Sequence, residues 1–187
     1  MAQPQTKGLS FRSFLKSLSR LRGESAVGAT LSNIAPRVGQ QLREGLIFSG
    51  NWYPLSWYRD LHAAAQSATD EGLELARAIG FDSVRDDLSG IYRIFLLVVS
   101  PEYVLSKASL LFGTYFDTGR MEIVESSRGR ARARWTGCSE FNKNIWADVT
   151  GGCEAAIRAA GARSVRIDLL SGGNNGDSAM ELEAHWS

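Results

Sequence analysis

An alternating run of apolar and polar residues from Met121 to Trp135 constrains the fold most strongly. A period of two residues on both sides of Arg128-Gly129 predicts two antiparallel strands joined as a hairpin. A three-residue loop gathers the apolar side chains on one face, whereas a two-residue loop would mix apolar and charged side chains. We therefore predict the loop Ser127-Arg128-Gly129, with Glu122 opposite Arg134. One face would then hold Met121, Ile123, Ala131, Ala133 and Trp135, and the other Glu122, Val124, Ser126, Arg130, Arg132 and Arg134.

Two further strands are predicted near the C-terminus, at 164–170 and 178–186, because each alternates apolar with charged residues. The turn-rich sequence 171–177 between them predicts a loop. A short alanine-rich helix, 153–160, is predicted after Gly151-Gly152, with irregular structure before it. The C-terminal half therefore reads strand–strand–helix–strand–strand, and its sheet has one apolar face that needs a cover.

The N-terminal half supplies that cover, because its apolar residues recur at helical spacing. Predicted helices cover 9–22, 55–68, 69–79 with Thr69 as its cap, 81–99 and 101–115, and Gly80 is expected to end the third. Ser100-Pro101 is a typical helix start. The predicted fold class is α+β, with an N-terminal helical layer packed on a twisted antiparallel sheet.

Residues 1–24 are predicted to be a basic amphipathic segment, and residues 25–187 a single α+β domain. Basic residues without an acid before Glu24 are typical of a helix that lies on a membrane surface, docks a partner or serves as a transit peptide. The alternative is that the helix Leu9–Arg22 packs on its own domain.

Charge and hydropathy exclude several classes of protein. Up to Gly45, seven Lys or Arg face two Glu, and the remainder carries fourteen basic and eighteen acidic residues, which argues against a nucleic-acid partner. No apolar run is long enough to span a bilayer, and no export signal is present, so a cytoplasmic location is expected. Cys138 and Cys153 lack a metal-binding spacing and are expected to be reduced thiols.

Neither histidine indicates catalysis or metal binding. His62 falls on the apolar side of a helix, as a core residue would, and His185 alternates outward on the last strand. The glycine-rich loop 172–177 joins two strands and feeds no helix N-terminus, so a hairpin loop is favoured over a phosphate site. No catalytic residue, metal ligand or cofactor is predicted, although a triad assembled only in space stays open.

Two groups of residues are candidate binding sites. Large aromatic residues opposite the small Ala131 and Ala133 indicate either tight packing or a ligand pocket. Basic residues on the first helix and on the hairpin indicate either a solvated charged face or a partner-docking surface. The candidate ligand-binding residues are Trp57, Tyr58, Tyr92, Phe95, Tyr115 and Trp135; the candidate partner-binding residues are Arg12, Lys16, Arg20, Arg130, Arg132 and Arg134.

The order of elements from Leu15 to Trp186 resembles a known family. The matching features are a helix ending near Arg-Gly, the Trp52-Tyr53-Pro54 helix start, a helix ending Ala-Ile-Gly80, the Ser-Pro-Glu102 helix and the terminal hairpins. They resemble a paralogue-rich myxobacterial family of unknown function, related in pattern to four-vinyl reductase and haem–nitric-oxide-binding domains. The resemblance implies a helical layer on a sheet, with a cavity for a hydrophobic small molecule between them.

The resemblance does not extend to haem. Haem-binding relatives need an axial His and a Tyr-x-Ser-x-Arg signature; the signature is absent here, and His62 lies on too early a helix. We therefore expect a non-enzymatic sensory or adaptor domain that binds a small apolar ligand or a protein partner at the helix–sheet interface. We also expect the chain to associate with a protein partner or to form a homodimer. The alternatives are a scaffold module with a filled core and an enzyme with chemistry on its loops.

Overall fold

The computed structural model describes residues 3–89 and 100–187. These ranges contain eight helices and six strands. The helices are α1 (Gly8–Arg22), α2 (Glu24–Asn33), α3 (Pro36–Arg43), α4 (Leu55–Thr69), α5 (Leu73–Ser89), α6 (Pro101–Ser106), α7 (Ala108–Tyr115) and α8 (Lys143–Ala159). The strands are β1 (Gln5–Lys7), β2 (Trp52–Pro54), β3 (Arg120–Ser127), β4 (Arg130–Thr136), β5 (Val165–Gly172) and β6 (Met180–Trp186).

Four antiparallel strands form the main sheet, in the order β3-β4-β6-β5. Strands β1 and β2 pair separately beside the helices. Sheet residues such as Trp135 and Leu182 belong to a large core with side chains from the helices. Ala131 and Ala184 form a smaller cluster with Leu105 and Ile157. The predicted α+β class is confirmed, and so is the order strand–strand–helix–strand–strand of the C-terminal half.

The β3–β4 hairpin keeps the predicted pairing at the end away from its turn, but not the predicted loop. Its turn has two residues, because Ser127 pairs with Arg130 across Arg128-Gly129. The extra residue lies instead in a β-bulge at Val124, and beyond it Glu122 pairs with Arg134 as predicted. Because of the bulge, Glu125 lies opposite Arg132, in the place predicted for Val124. The prediction of a three-residue loop is wrong, since a bulge inside a strand restores the apolar face equally well.

Glycines predicted to break two helices lie inside them. Helix α5 continues through Gly80, and α8 begins eight residues before Gly151, where irregular structure was predicted. The reason is contact between the two helices. A Cβ on Gly80 would lie 2.0 Å from the Asp148 carbonyl oxygen, and one on Gly151 would lie 2.0 Å from that of Arg77. These glycines therefore permit close helix packing rather than a turn.

Other predicted boundaries shift for local reasons. Thr69 ends α4 instead of capping the next helix, and Asp70 follows it in a left-handed conformation. Ser100 caps α6 as predicted, accepting a hydrogen bond from the Tyr103 amide, 3.4 Å away. The predicted helix to Tyr115 is divided at Lys107 into α6 and α7. Part of the helix predicted at 81–99 lies outside the described residues.

Helix α1 is an internal element of this core. The side chains of Phe11, Phe14 and Leu18 are completely buried. The Phe14 ring makes edge contacts with Tyr58 at 5.8 Å and with His62 at 4.7 Å, measured between ring centroids. The helix therefore packs on its own domain, which was the alternative to a docking segment. No helix in ranges 3–89 and 100–187 is long and apolar enough to cross a membrane.

Candidate ligand cavity

A cavity of about 120 Å³ lies between the helices and the main sheet. Its sheet wall consists of the apolar face predicted from the alternating sequence, and Trp135 there is only 1% exposed. Small alanines alternate with larger residues on this wall, which leaves room that large side chains would fill. The sheet residues that line the cavity are Met121, Ile123, Ala131, Ala133, Trp135, Ile167, Leu182 and Ala184.

The helical wall carries polar groups, most of which bind one another. Ser13 and Tyr115 both donate to the Asp87 carboxylate, at 2.9 Å and 2.8 Å. Burial raises the pKa of Asp87, and the two donated hydrogen bonds lower it. Ser83, also on this wall, bonds Ser17 across α5 and α1 at 3.0 Å. These contacts tie α1, α5 and α7 together on one side of the cavity.

Asp148 of α8 is the exception among these polar groups. Its Oδ2 accepts a hydrogen bond from the Tyr58 hydroxyl at 3.3 Å, but its Oδ1 has no hydrogen-bond partner. The residue is 9% exposed, and burial raises the pKa of its carboxyl to about 7, although the bond from Tyr58 opposes the shift. Burial and the nearby carboxylate raise the pKa of Tyr58 well above its usual value, so its hydroxyl stays protonated.

The structure brings three of the predicted ligand-binding residues together. Tyr58, Tyr115 and Trp135 line the cavity from α4, α7 and β4. Trp57 is not among the lining residues and packs beside Tyr53 in a tilted arrangement, with ring centroids 6.1 Å apart. Tyr92 and Phe95 lie outside the described residues.

Sequence reasoning missed the polar residues of the helical wall. Ser10, Ser13 and Ser17 fall on the buried face of α1, a signal that three- and four-residue spacing could have revealed. Asp148 had no such signal, because the glycines at 151 and 152 concealed the helix that carries it.

The predicted partner-binding residues make intramolecular contacts. Lys16 and Arg20 pair with Asp86 at 2.7 Å each, and Arg20 also binds Asp82. Arg12 donates to the Ser49 hydroxyl at 3.1 Å. On the outer face of the sheet, Arg130 pairs with Glu183, and both Arg132 and Arg134 pair with Glu181. Because the other five residues form ion pairs within the chain, a docking role for them requires competition with those ion pairs.

Groups that commonly bind metals lie apart from one another. His62 is buried on α4, where burial lowers its pKa to about 3 and keeps the ring neutral. His185 lies on the charged face of β6 and contacts Glu183 at 2.8 Å. Cys138 and Cys153 are free, as expected, and burial raises the pKa of each thiol to about 12. No group of three or more metal-binding side chains occurs among residues that the structure describes.

Solved structures with similar folds include H-NOX domains. A mutant of the H-NOX protein from K. algicida, in its unliganded Fe(II) form, superimposes with a TM-score of 0.73 at 13% identity, covering 97% of this chain and 96% of that one. An oxygen-binding H-NOX domain related to soluble guanylate cyclases gives 0.72 at 12% identity, covering 97% and 95%. A structure from work on haem distortion in the H-NOX family gives 0.73 at 15%, with coverage of 97% and 95%.

Sequence comparisons give no such relation: no protein-family model matches the chain, and no curated protein is significantly similar to it. The structural likeness covers nearly the whole chain and establishes the fold. It confirms the predicted relation in pattern to haem–nitric-oxide-binding domains.

Proposed function

We propose that this protein is a non-enzymatic sensory or adaptor domain that binds a small apolar molecule between its helical layer and its sheet. The observation that carries the proposal is the cavity under Trp135, whose sheet wall is apolar. The proteins with the same fold include an oxygen-binding domain, which supports a sensory role in binding small molecules. The alternative of a scaffold with a filled core has less support, because the helix–sheet interface leaves a cavity.

The volume of the cavity indicates a small ligand. An engineered apolar cavity of about 150 Å³ holds benzene. A cavity of about 120 Å³ therefore suits a molecule near the size of benzene, such as toluene or phenol. Haem is several times larger than benzene.

The chemistry of the lining residues also does not fit haem. Proteins hold haem iron through His, Cys thiolate, Met or Tyr. Neither His62 nor His185 is among the described lining residues. Cys153 and Tyr58 do line the cavity, but burial raises both pKa values and keeps the thiol and the phenol protonated. The Tyr115 hydroxyl also lines it and keeps its proton in a hydrogen bond to Asp87. Met121 is the other lining residue of a ligand type, and methionine ligates haem iron together with a histidine, as in cytochromes c.

Haem also needs partners for its two carboxylates. Within the described part of the lining there is no Lys or Arg, because Arg132 and Arg134 point to the opposite face of the sheet. The acidic residue in the described lining is Asp148, and Asp87 bonds the lining residues Ser13 and Tyr115, so these groups offer the haem carboxylates no cation. We therefore propose a ligand other than haem.

Native mass spectrometry of the protein purified from its own host tests the proposal. We expect a retained adduct on the order of 100 Da, the mass of a molecule near the size of benzene. We also propose that the domain forms a homodimer or binds a protein partner, and that this partner recognises the ligand-bound form. The same spectrum gives the subunit count and so tests this proposal.

A cavity-filling variant supplies the matched comparison. Ala133→Leu adds three carbon atoms to the cavity wall and should abolish the adduct. Ala29→Leu adds the same atoms on the exposed surface of α2 and should leave it intact. An adduct that survives Ala133→Leu, or wild-type protein that binds neither its host's metabolites nor added toluene, would contradict the proposed function.

A further inference from the structure

We infer that the ligand is an apolar molecule carrying one hydroxyl group, which donates a hydrogen bond to Oδ1 of Asp148. This inference rests on the proposed function and specifies its ligand class. It depends on an acceptor that the fold buries at the cavity without supplying a donor. Buried polar atoms are nearly always hydrogen-bonded, and leaving one without a partner costs about 1–3 kcal/mol.

The surroundings of Asp148 explain why the protein itself does not provide the donor. The Tyr58 hydroxyl already donates its hydrogen bond to Oδ2 of Asp148. Gly80 faces the carboxylate from α5, and a Cβ there would lie 2.6 Å from Oδ1, so no side chain can reach the atom from that position. Ser13 donates to Asp87 and Ser83 bonds Ser17, so neither hydroxyl is directed at Asp148.

A second unpartnered atom on the opposite wall favours a hydroxyl over an ammonium group. Nε1 of Trp135 is a buried donor without an acceptor. A hydroxyl both donates and accepts, so one group is compatible with both walls, whereas an ammonium group cannot accept. An ammonium bound here would also form an ion pair in an apolar cavity, where the loss of hydration opposes binding.

Phenol and toluene test this inference, because they have the same number of heavy atoms and differ in one hydroxyl. In a cavity that offers no acceptor, toluene should bind more tightly, because phenol loses hydrogen bonds to water. At pH 8 the Asp148 carboxyl, whose pKa is about 7, is mainly ionised and can accept. At this pH we expect the wild-type protein to bind phenol at least about 10-fold more tightly than toluene, measured as dissociation constants by calorimetry.

Variants of Asp148 identify the acceptor. Asp148→Leu should reverse the preference so that toluene binds more tightly. Asp148→Asn keeps an acceptor oxygen and can still bond the Tyr58 hydroxyl, so it should retain the preference for phenol. The wild-type ratio decides the question even if Asp148→Leu does not fold.

The outcomes separate this inference from the proposed function. Toluene binding more tightly than phenol to the wild type, or an unchanged phenol preference in Asp148→Leu, would overturn the inference and leave an apolar binding site standing. Failure of both probes to bind would overturn the proposed function itself.

Discussion

Two buried ionisable residues respond to pH in opposite directions. Burial lowers the pKa of His62 from 6.5 to about 3. The stability that the neutral ring contributes is therefore present above pH 6.5 and is lost as the pH falls from 6.5 towards 3. The pKa of Asp148 is raised from 3.8 to about 7 by burial, so its contribution is present below pH 3.8 and is lost as pH rises towards 7. Both groups contact Tyr58. The His62 and Tyr58 ring centroids are 4.8 Å apart, and the Tyr58 hydroxyl donates to Asp148.

In the wild type, Asp148 and His62 change the free energy of unfolding with pH in opposite directions, and the two effects cancel. Replacing either residue with a neutral one should therefore expose the effect of the other. Between pH 4.5 and 6, Asp148→Asn should make the free energy of unfolding rise with pH, relative to the wild type, by about 1.4 kcal/mol per pH unit. His62→Gln should make it fall by about the same amount. Urea unfolding at three pH values in this window measures both slopes. Variants whose curves run parallel to the wild type would show that these groups do not titrate as buried residues.

At the scale of elements, the contact between α5 and α8 depends on residues without side chains. Gly80 approaches the backbone of α8, and Gly151 approaches the backbone of α5. Glycine inside a helix costs about 0.5–1 kcal/mol relative to alanine, so its presence here needs a packing reason. The close approach also places Asp148 at the cavity wall, which links this helix pair to the proposed site.

Gly151→Ala should destabilise the protein by at least about 2 kcal/mol, because a Cβ would lie 2.0 Å from the Arg77 carbonyl oxygen and helix backbones must separate. Gly28→Ala is the matched control. It also lies inside a helix, but a Cβ there meets nothing within 4 Å. It should stabilise the protein by about 0.5–1 kcal/mol. Thermal unfolding of both variants makes the comparison; equal effects would indicate that α5 and α8 are not in close contact.

At the scale of the whole molecule, we expect the fold to depend on its N-terminal segment. Removing residues 1–22 deletes Phe11, Phe14 and Leu18, each of which stabilises the fold by about 1.5–3 kcal/mol through burial. Together they approach the total stability of a typical domain, roughly 5–15 kcal/mol. We therefore expect the shortened chain not to fold, as judged by circular dichroism and urea unfolding.

Charge removal from the same helix provides the control for that deletion. Lys16→Ala breaks an exposed ion pair with Asp86 and should change stability by less than about 1 kcal/mol. A shortened chain that unfolds cooperatively, like the intact protein, would show that the N-terminal segment is separable from the core.

The whole cavity also determines the response to haem. We expect the purified protein to be colourless, and added haemin to give no sharp one-to-one Soret band, because the described lining combines protonated Cys153 and Tyr58 with no histidine. A spectrophotometric titration measures this. A saturable one-to-one band that disappears in His62→Ala would show that His62 reaches the cavity and ligates iron.

The sequence by itself determined the sheet and its apolar face. Alternation with a period of two residues is a local property, because neighbouring side chains of a strand point to opposite faces. It predicted the pairing of Glu122 with Arg134 and the inward position of Trp135, and helical spacing predicted α1 in the same way. The turn length was not determined, because a bulge at Val124 and a longer loop satisfy the same pattern.

Tertiary structure decided what the glycines and the buried polar residues do. Gly80 and Gly151 read locally as helix ends, but contact with a helix about 70 residues away makes glycine favourable inside each helix. Asp148 became a cavity residue only through that contact. Its unpartnered oxygen and its raised pKa follow from burial, which a residue acquires from distant parts of the chain and not from its neighbours in sequence.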